Sequence, residues 1–118
     1  MQYLLLIYET AQGFAERTDE KKQADYWAAW PPYAQALREA GVLVGGQGLQ
    51  PAETATTVRR RDGQRHVQDG PYADTKEQLG GYFLIDAPHL DAALDWAARC
   101  PVGEGACVEV RPMLPSCG

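Results

Sequence analysis

The apolar positions of the chain fall into short continuous runs and longer helical stripes. Residues 2–8 form a nearly continuous apolar and aromatic run, which predicts a central β-strand. A loop is expected over 11–17, and a helix is expected to begin near Thr18 or Asp19, because acidic residues favour a first helical turn. The apolar stripe of this helix advances in steps of four and three through Tyr26, Trp30, Tyr33, Leu37 and Ala40.

Two prolines interrupt that stripe. Pro31 and Pro32 each remove a backbone donor, so a kink or a restart is expected there, and Gly41 is expected to end the second half of the helix. A short buried strand is predicted over 42–44. The glycines within 45–48 allow the backbone to turn or to approach another group closely.

The clearest hairpin signal lies in the middle of the chain. Strands are predicted over 55–61 and 64–68, joined by Asp62-Gly63, a pair that supplies the positive φ angles of a two-residue turn. Neither face of this hairpin is wholly apolar, so we expect it to project or to pack against a partner. The turn sets the register, in which the opposed pairs are Arg61 with Gln64, Arg60 with Arg65, Arg59 with His66 and Val58 with Val67.

A second βαβ pattern follows the hairpin. Residues 74–79 are predicted to form one or two helical turns, because Asp74 and Glu77 have the spacing of a capping box. Gly80-Gly81 are expected to end these turns, and a buried strand is expected over 82–85.

The second long helix is predicted next. Asp86 is expected to cap it, Pro88 to lie in its first turn and Pro101 to stop it. The alternation over 106–113 predicts a final strand at or near a sheet edge. The apolar stripe of the helix is Leu90, Ala93, Leu94 and Ala97.

The order of these elements is β-α-β, a hairpin, and then β-α-β. It predicts one α+β domain over 1–118 with a ferredoxin-like βαββαβ arrangement, an inserted β-hairpin and both helices on one face of an antiparallel sheet. The opposite sheet face would be bare and apolar, and a second copy commonly covers such a face. We therefore expect a homodimer.

Composition and charge narrow the function classes. The 118-residue chain has a net charge of −5, so nucleic-acid binding is disfavoured without a concentrated basic patch. The apolar run 4–7 is too short to span a membrane and no basic residue precedes it, so we expect a cytoplasmic protein not bound to membranes. Cys100, Cys107 and Cys117 lack CxxC spacing, so neither a disulfide framework nor a zinc site is expected.

Standard catalytic and cofactor motifs are missing from the sequence. It has no GxSxG, HExxH, P-loop or GxGxxG pattern, so no cofactor and no metal are predicted. The densest polar segment is 69–77, where Asp69, Tyr72 and Lys76 have no role in the predicted helix cap. Asp69 either bonds local turn amides or acts as a ligand contact or acid–base group.

The hairpin carries the remaining polar candidates. His66 is a candidate base, because the neighbouring Arg59 would disfavour its protonation, whereas His89 is expected to be solvated. Residues 59–61 and Arg65 form a basic patch. Solvated charges are one interpretation of this patch, a site for the carboxylate or phosphate of a small molecule is another, and nucleic-acid binding is a third.

The aromatic residues of the first helix are more typical of a core than of a cofactor cage. Trp27 lies off the apolar stripe, so one ring is expected to line a groove or the dimer seam. A pocket between this helix, the sheet and a partner chain would be apolar with a few polar groups, as small-molecule sites are.

Six segments spread over nearly the whole chain form a distinctive set: YLLLIYE, ALREAGVL, TATTVR, DGPYADTKEQLGGYF, AALDWAA and VEVRP. Through these segments the chain resembles the YCII-related family in its DGPF-motif branch. Tyr72 stands where the name of the branch implies phenylalanine. The resemblance implies a dimeric α/β barrel built from two ferredoxin-like domains, with an active-site cleft at the dimer interface.

The resemblance also bears on mechanism and partners. Smaller members of the wider family carry a His on the first helix and an Asp after the second, proposed as a catalytic pair. Tyr33 and Cys100 occupy those places here, so lyase-type chemistry by such a pair is not expected. Members of the branch are often encoded beside alternative sigma factors, which implies a regulatory association.

Two functions are consistent with these observations. The first is a homodimer whose interface cleft binds a small anionic or aromatic molecule, with lyase- or isomerase-like activity. Asp69 would be the polar anchor of this cleft, with Tyr72 and Lys76 behind it, and Arg59 would contact the anion. The walls of the cleft would be Trp30, Tyr33 and Tyr82. The second is a non-enzymatic partner or ligand sensor in a sigma-factor pathway, with the arginine hairpin as contact surface. A buried Asp69 beside a cavity favours the first function, and a solvent-facing Asp69 favours the second.

Overall fold

A four-stranded antiparallel sheet organises the fold. The computed structural model describes residues 1–115. Its sheet contains β1 (Gln2–Glu9), β2 (Leu43–Gly48), β5 (Gln78–Asp86) and β6 (Cys107–Pro112) in the order β2-β5-β1-β6, whereas β3 (Thr56–Arg61) and β4 (Gln64–Asp69) pair separately. The helices are α1 (Ala11–Glu16), α2 (Gln23–Ala28), α3 (Trp30–Glu39) and α4 (Leu90–Ala98). The predicted α+β class is confirmed, and the strand order is that of a ferredoxin-like sheet.

The core lies on one face of this sheet. Along β1 the buried residues alternate with half-buried ones, because successive side chains point to opposite faces. The buried set packs beneath α3 and α4. Within residues 1–115, the opposite, uncovered face has no core helix on it, and Leu4, Leu6 and Tyr8 of β1 are half-buried there. The core residues are Tyr3, Leu5, Ile7, Tyr33, Leu37, Ile85, Ala87, Ala93 and Cys100.

The loop predicted over 11–17 is wrong, because Thr10 caps a short helix there. Its Oγ1 accepts the amide of Gly13 at 3.1 Å, which satisfies one of the free donors of the first turn of α1. The predicted start of the next helix near Thr18 or Asp19 is also too early. The Asp19 carboxylate instead accepts the amides of the two following lysines at 2.9 and 3.2 Å, and this turn precedes α2.

The expected restart at Pro31 and Pro32 is confirmed. Both prolines lie in the first turn of α3, where their missing amide donors cost no helical hydrogen bond. The second half of the predicted helix, which is α3, ends near Gly41. This glycine has a φ angle of +72°, as expected of a residue after a helix C-terminus.

The helix predicted over 74–79 is wrong, and so is the helix exit at Gly80-Gly81. The Gln78 side chain donates to the carbonyls of Ala73 and Thr75, each at 2.9 Å, which ties the segment into an irregular loop. From Gln78 onward the backbone pairs with β1, so both glycines are strand residues. Strand pairing has overridden the local capping-box pattern.

The predicted cap of the second long helix is also wrong. Asp86 is the last residue of β5, and Pro88 precedes α4. His89 takes the capping position, and its Nδ1 accepts the amide of Ala92 at 3.2 Å. The start of the helix was therefore misplaced, and its predicted apolar stripe is only partly correct. Ala93 and Ala97 pack in or against the core, whereas Leu90 and Leu94 are exposed and Trp96 packs against the core instead. The final strand lies at a sheet edge, as predicted.

The predicted hairpin is confirmed in position and register. Asp62 and Gly63 have φ angles of +52° and +74°, and Arg59 pairs with His66 as expected. At the open end of the hairpin, Thr56 pairs with Asp69.

Two expectations concern cysteines and membranes. Cys100 is buried and Cys107 is exposed, both as free thiols, and Cys117 lies outside the described residues. Among residues 1–115, none of the helices has the length and apolar character needed to cross a membrane.

Candidate functional site

A cavity of about 240 Å³ lies where the end of β1 meets the α2–α3 junction and the edge of the sheet at β2 and β5. A cavity of roughly 150 Å³ holds benzene, so this one has room for a one- or two-ring molecule. Glycines of β2 and β5 supply much of the remaining wall. Its aromatic wall consists of Tyr26, Trp27, Trp30, Tyr82 and Phe83.

Glu9 brings a carboxylate into this apolar wall. Glu9 is only 2% exposed, and among residues 1–115 it is the one charged residue that is buried. The Tyr26 hydroxyl donates to Glu9 Oε1 at 2.6 Å, and Arg17 Nη2 lies 3.5 Å from Oε2. Among residues 1–115, Oε2 has no hydrogen-bond partner. Such an orphaned buried oxygen is uncommon and is expected to have a structural or functional reason.

Arg17 neutralises that carboxylate and ties three segments together. Nη1 donates to the Leu49 carbonyl at 2.5 Å, Nη2 to the Gly80 carbonyl at 2.9 Å, and Nε to the Tyr26 hydroxyl at 3.2 Å. The guanidinium also lies over the rings of Phe14, Tyr26 and Trp27, at 4.7, 5.7 and 5.4 Å from their centroids. We refer to Glu9, Arg17 and Tyr26 as the ion-pair cluster.

The tyrosine of the ion-pair cluster remains protonated over the physiological range. Burial, and next the hydrogen bond to Glu9, raise the pKa of Tyr26 to about 12. Tyr26 is therefore a fixed donor to Glu9. The opposite charges of Glu9 and Arg17 leave the cluster with no net charge.

Two glycines allow the backbone to approach the cluster and the aromatic wall. A Cβ at Gly80 would lie 2.8 Å from Arg17 Nη2, and a Cβ at Gly46 would lie 2.7 Å from Phe83 Cδ1. The sequence prediction of close approach within 45–48 is thus confirmed at Gly46. Gly80 was expected to end a helix. Instead, the absence of a side chain at Gly80 makes room for the Arg17 guanidinium.

The predicted site residues lie in several places. Trp30 and Tyr82 line the cavity. Lys76 lies instead in a wider, open groove of about 940 Å³ that shares Arg17 and Trp27 with it. Tyr33 belongs to the core, where its hydroxyl donates to the Trp96 carbonyl at 2.7 Å.

The other predicted residues belong to the hairpin and the loop after it. Arg59 and His66 line a shallow depression on the hairpin, and the Arg59 guanidinium lies 5.1 Å from the centroid of the exposed Tyr72 ring. Asp69 is exposed, and it does not line the aromatic cavity, the wider groove or the hairpin depression.

The Tyr33 and Cys100 positions are packed against each other inside the core. Burial raises the pKa of the Cys100 thiol to about 11 and also raises that of the Tyr33 hydroxyl. Both groups are therefore neutral near pH 7. Their environment is that of core residues.

None of the three members of the ion-pair cluster was predicted from the sequence to be a site residue. One signal was available for Glu9: it continues the alternation of Tyr3, Leu5 and Ile7, so it falls on the buried face of β1. Arg17 carried no comparable signal, because its partners at Leu49 and Gly80 are distant in sequence.

The fold and the cavity define a small ferredoxin-like α+β protein with a space of ligand size at the edge of its sheet. The sequence profile of the YCII-related domain matches residues 1–116. An uncharacterized protein of Rhizobium meliloti (strain 1021) is 39% identical in an alignment of 119 positions that covers 96% of this chain and 92% of that protein. The chain therefore belongs to the YCII-related family.

Proposed function

We propose that this protein binds a small, largely aromatic molecule in the cavity beside the ion-pair cluster. The observation that supports this most strongly is Glu9 Oε2, a buried carboxylate oxygen without a hydrogen-bond partner among the described residues. Burying an ion pair costs desolvation energy that a well-packed apolar residue would not. A binding role gives a reason for keeping the carboxylate at this position.

The cavity wall indicates the kind of ligand. Trp27, Trp30 and Phe83 offer ring faces and edges to a flat molecule. Because Glu9 and Arg17 cancel in charge, an uncharged ligand with an N–H or O–H donor fits the cluster better than a strong acid. Oε2 is closed to solvent, so such a donor reaches it only when the side chains that cover it move aside, while Arg17 stays paired with the carboxylate.

Glu9 is also the residue we assign to any lyase- or isomerase-like chemistry here. Such reactions need a base within hydrogen-bond distance of the proton that is removed. The Glu9 carboxylate can accept that proton, with Arg17 beside it to balance the charge. Trp30 and Tyr82, both expected from the sequence to form walls, keep that role in this proposal.

The second part of the proposal is that a homodimer completes the cleft. The uncovered sheet face carries Leu4, Leu6 and Leu84, and a second copy would remove these apolar side chains from water. Tyr82 alternates with Phe83 and so lies on that face, yet it also lines the cavity. A partner on that face would lie next to the cavity, as in the dimeric α/β barrel implied by the DGPF-branch resemblance.

Ligand binding is tested by filling the cavity. An added Cβ at Gly48, which lies in the cavity wall, meets nothing within 4 Å, so a leucine has room there. A library of one- and two-ring molecules is screened by tryptophan fluorescence and thermal shift. Hits should bind wild type and lose binding in Gly48→Leu. Val44→Leu, an exposed change in the same strand outside the cavity, is the control and should bind normally. Hits that bind Gly48→Leu as tightly as wild type contradict the site.

Dimerisation is tested by light scattering coupled to gel filtration. Leu6→Lys places a charge on the uncovered face, where Glu109 of the neighbouring strand can pair with it in the monomer. We expect wild type at twice the mass of one chain and Leu6→Lys at the mass of one. Leu94→Lys, an exposed leucine on α4, should remain dimeric. A monomeric wild type rules out the interface cleft.

A non-enzymatic ligand sensor or regulatory partner in a sigma-factor pathway is the second candidate. The observation in its favour is the hairpin, which projects with Val58 and Val67 about 60% exposed, while Asp69 faces solvent. Mass spectrometry of a hit after incubation with the protein separates the two functions. Recovery of the unchanged molecule favours the sensor, and turnover that Glu9→Gln abolishes favours the enzyme.

A further inference from the structure

The two faces of the hairpin differ in what they present. Side chains alternate along each strand, so Arg59 and Arg61 of β3 share one face with His66 and Gln68 of β4. The other face carries Val58, Arg60, Arg65 and Val67. The four basic residues of the predicted patch are thus divided between opposite faces.

The face with Arg59 and Arg61 forms a depression of about 370 Å³, whose walls are Arg59, Arg61, His66 and Gln68. Within residues 1–115, neither guanidinium forms an ion pair with a carboxylate. This is notable in a chain whose acidic residues outnumber its lysines and arginines by 16 to 11. The positive charge of this face is therefore available to an external anion.

One of the arginines is held in place. The Arg59 guanidinium lies over the ring of Tyr72, 5.1 Å from its centroid, and the residue is half-buried although it projects from a hairpin. Stacking on an aromatic ring leaves the edge of the guanidinium free to donate hydrogen bonds. Arg61 follows two residues along the strand, about 7 Å away, so both side chains can reach one polyvalent anion.

We propose that this face of the hairpin is a binding site for a polyvalent oxyanion, either a phosphoryl group or a polycarboxylate. Arg59 and Arg61 bind its oxygens through charge-assisted hydrogen bonds, and His66 and Gln68 add neighbouring donors. The site is separate from the aromatic cavity, so it goes beyond the proposed function. It also moves the anion contact expected at Arg59 from the interface cleft to the hairpin surface.

The test uses isothermal titration calorimetry with pyrophosphate and with citrate at constant ionic strength. Arg59→Gln/Arg61→Gln removes two charges from the proposed face. Arg60→Gln/Arg65→Gln removes two charges from the opposite face of the same hairpin and is the matched control. Arg59→Lys/Arg61→Lys keeps the charge and loses the planar fork. All these side chains project from the hairpin surface, and circular dichroism checks that each variant is folded.

We expect wild type to bind one anion per chain, and the first variant to bind about tenfold more weakly or worse. The control should change by less than about threefold, and the lysine variant should lie between them. Preference for pyrophosphate identifies a phosphoryl site, and preference for citrate identifies a carboxylate site. Equal losses in the two glutamine variants would mean general charge screening and would overturn the proposal. An absence of saturable binding by wild type would overturn it as well.

Discussion

Arg17 Nη2 lies 3.5 Å from Glu9 Oε2 in a pair almost closed to solvent, with side-chain exposures of 9% and 3%. Removing one partner leaves the other charge buried and uncompensated. We expect Glu9→Gln and Arg17→Gln each to lower the free energy of unfolding by about 3–5 kcal/mol, and the double variant to lose less than the sum. Urea unfolding at pH 7 measures the free energy of unfolding of wild type, the two single variants and the double variant.

The exposed pair Glu109–Arg111 on β6 is the control for this cycle. Exposed pairs are screened by water and ions, so the equivalent cycle there should give about 0–1 kcal/mol of coupling. Strict additivity at Glu9 and Arg17 would mean that the two side chains do not stabilise each other.

Tyr26→Phe tests the neutral member of the cluster. It removes the donor to Glu9 Oε1, a bond of 2.6 Å, and leaves a second carboxylate oxygen unsatisfied. We expect a loss of about 1–3 kcal/mol in the free energy of unfolding. Tyr72→Phe removes the hydroxyl of a 75%-exposed residue and should change it by less than about 0.5 kcal/mol. Similar losses for both variants would show that the Tyr26–Glu9 bond has no special role.

The protein should lose stability in alkaline solution. Burial raises the pKa of Cys100 from 9.0 to about 11 and that of Tyr26 from 10.0 to about 12. Below pH 9 both groups are protonated in the folded and unfolded chains, so their contribution is constant. Between pH 9 and about 11 for Cys100, and between pH 10 and about 12 for Tyr26, the group ionises in the unfolded chain before it ionises in the folded protein. The free energy of unfolding therefore falls as the pH rises through these two ranges. Urea titrations from pH 8 to 12 should show this slope, and Cys100→Ala should reduce it between pH 9 and 11.

The two described thiols should differ in reactivity. Thiolate is the reactive form, and Cys100 is both buried and raised in pKa, whereas Cys107 is exposed. In a Cys117→Ser background at pH 8, we expect one equivalent of thiol to react with Ellman's reagent in the folded protein and two equivalents in urea. Rapid reaction of both thiols without urea would contradict the placement of Cys100 in the core.

A fifth prediction concerns the close contact at Gly46. A Cβ there would lie 2.7 Å from Phe83 Cδ1 and 2.9 Å from the Tyr82 carbonyl oxygen, so Gly46→Ala should cost about 1–3 kcal/mol. Gly45→Ala in the same strand meets nothing within 4 Å and should be nearly neutral. Thermal unfolding compares the two variants, and equal melting temperatures would argue against tight packing at Phe83.

The elements whose positions were predicted correctly are determined by residues that are adjacent in the chain. Asp62-Gly63 determines its own turn, and that turn fixes the register from Arg59 to His66. Pro31 and Pro32 likewise mark the start of a helix by themselves.

The elements whose positions were predicted wrongly depend on partners that are distant in sequence. Asp74 and Glu77 have capping-box spacing, but pairing of the following residues with β1 determines the local structure. The ion-pair cluster forms only when Leu49 and Gly80 bring their carbonyls to Arg17. Asp69 has polar neighbours in sequence yet is exposed, whereas Glu9 stands at the end of an apolar run and is buried.

The order of strands in the sheet has a consequence for how the chain folds. β1 is the first strand in sequence, yet both its neighbours, β5 and β6, come from the last third of the chain. The hairpin between β3 and β4 can close within microseconds, since its loop has two residues. The central strand pairs only after loops of some 70 to 100 residues have closed, a large entropic step that slows folding. Until then the most apolar strand of the sheet has both edges unpaired, and aggregation in this interval competes with the native fold.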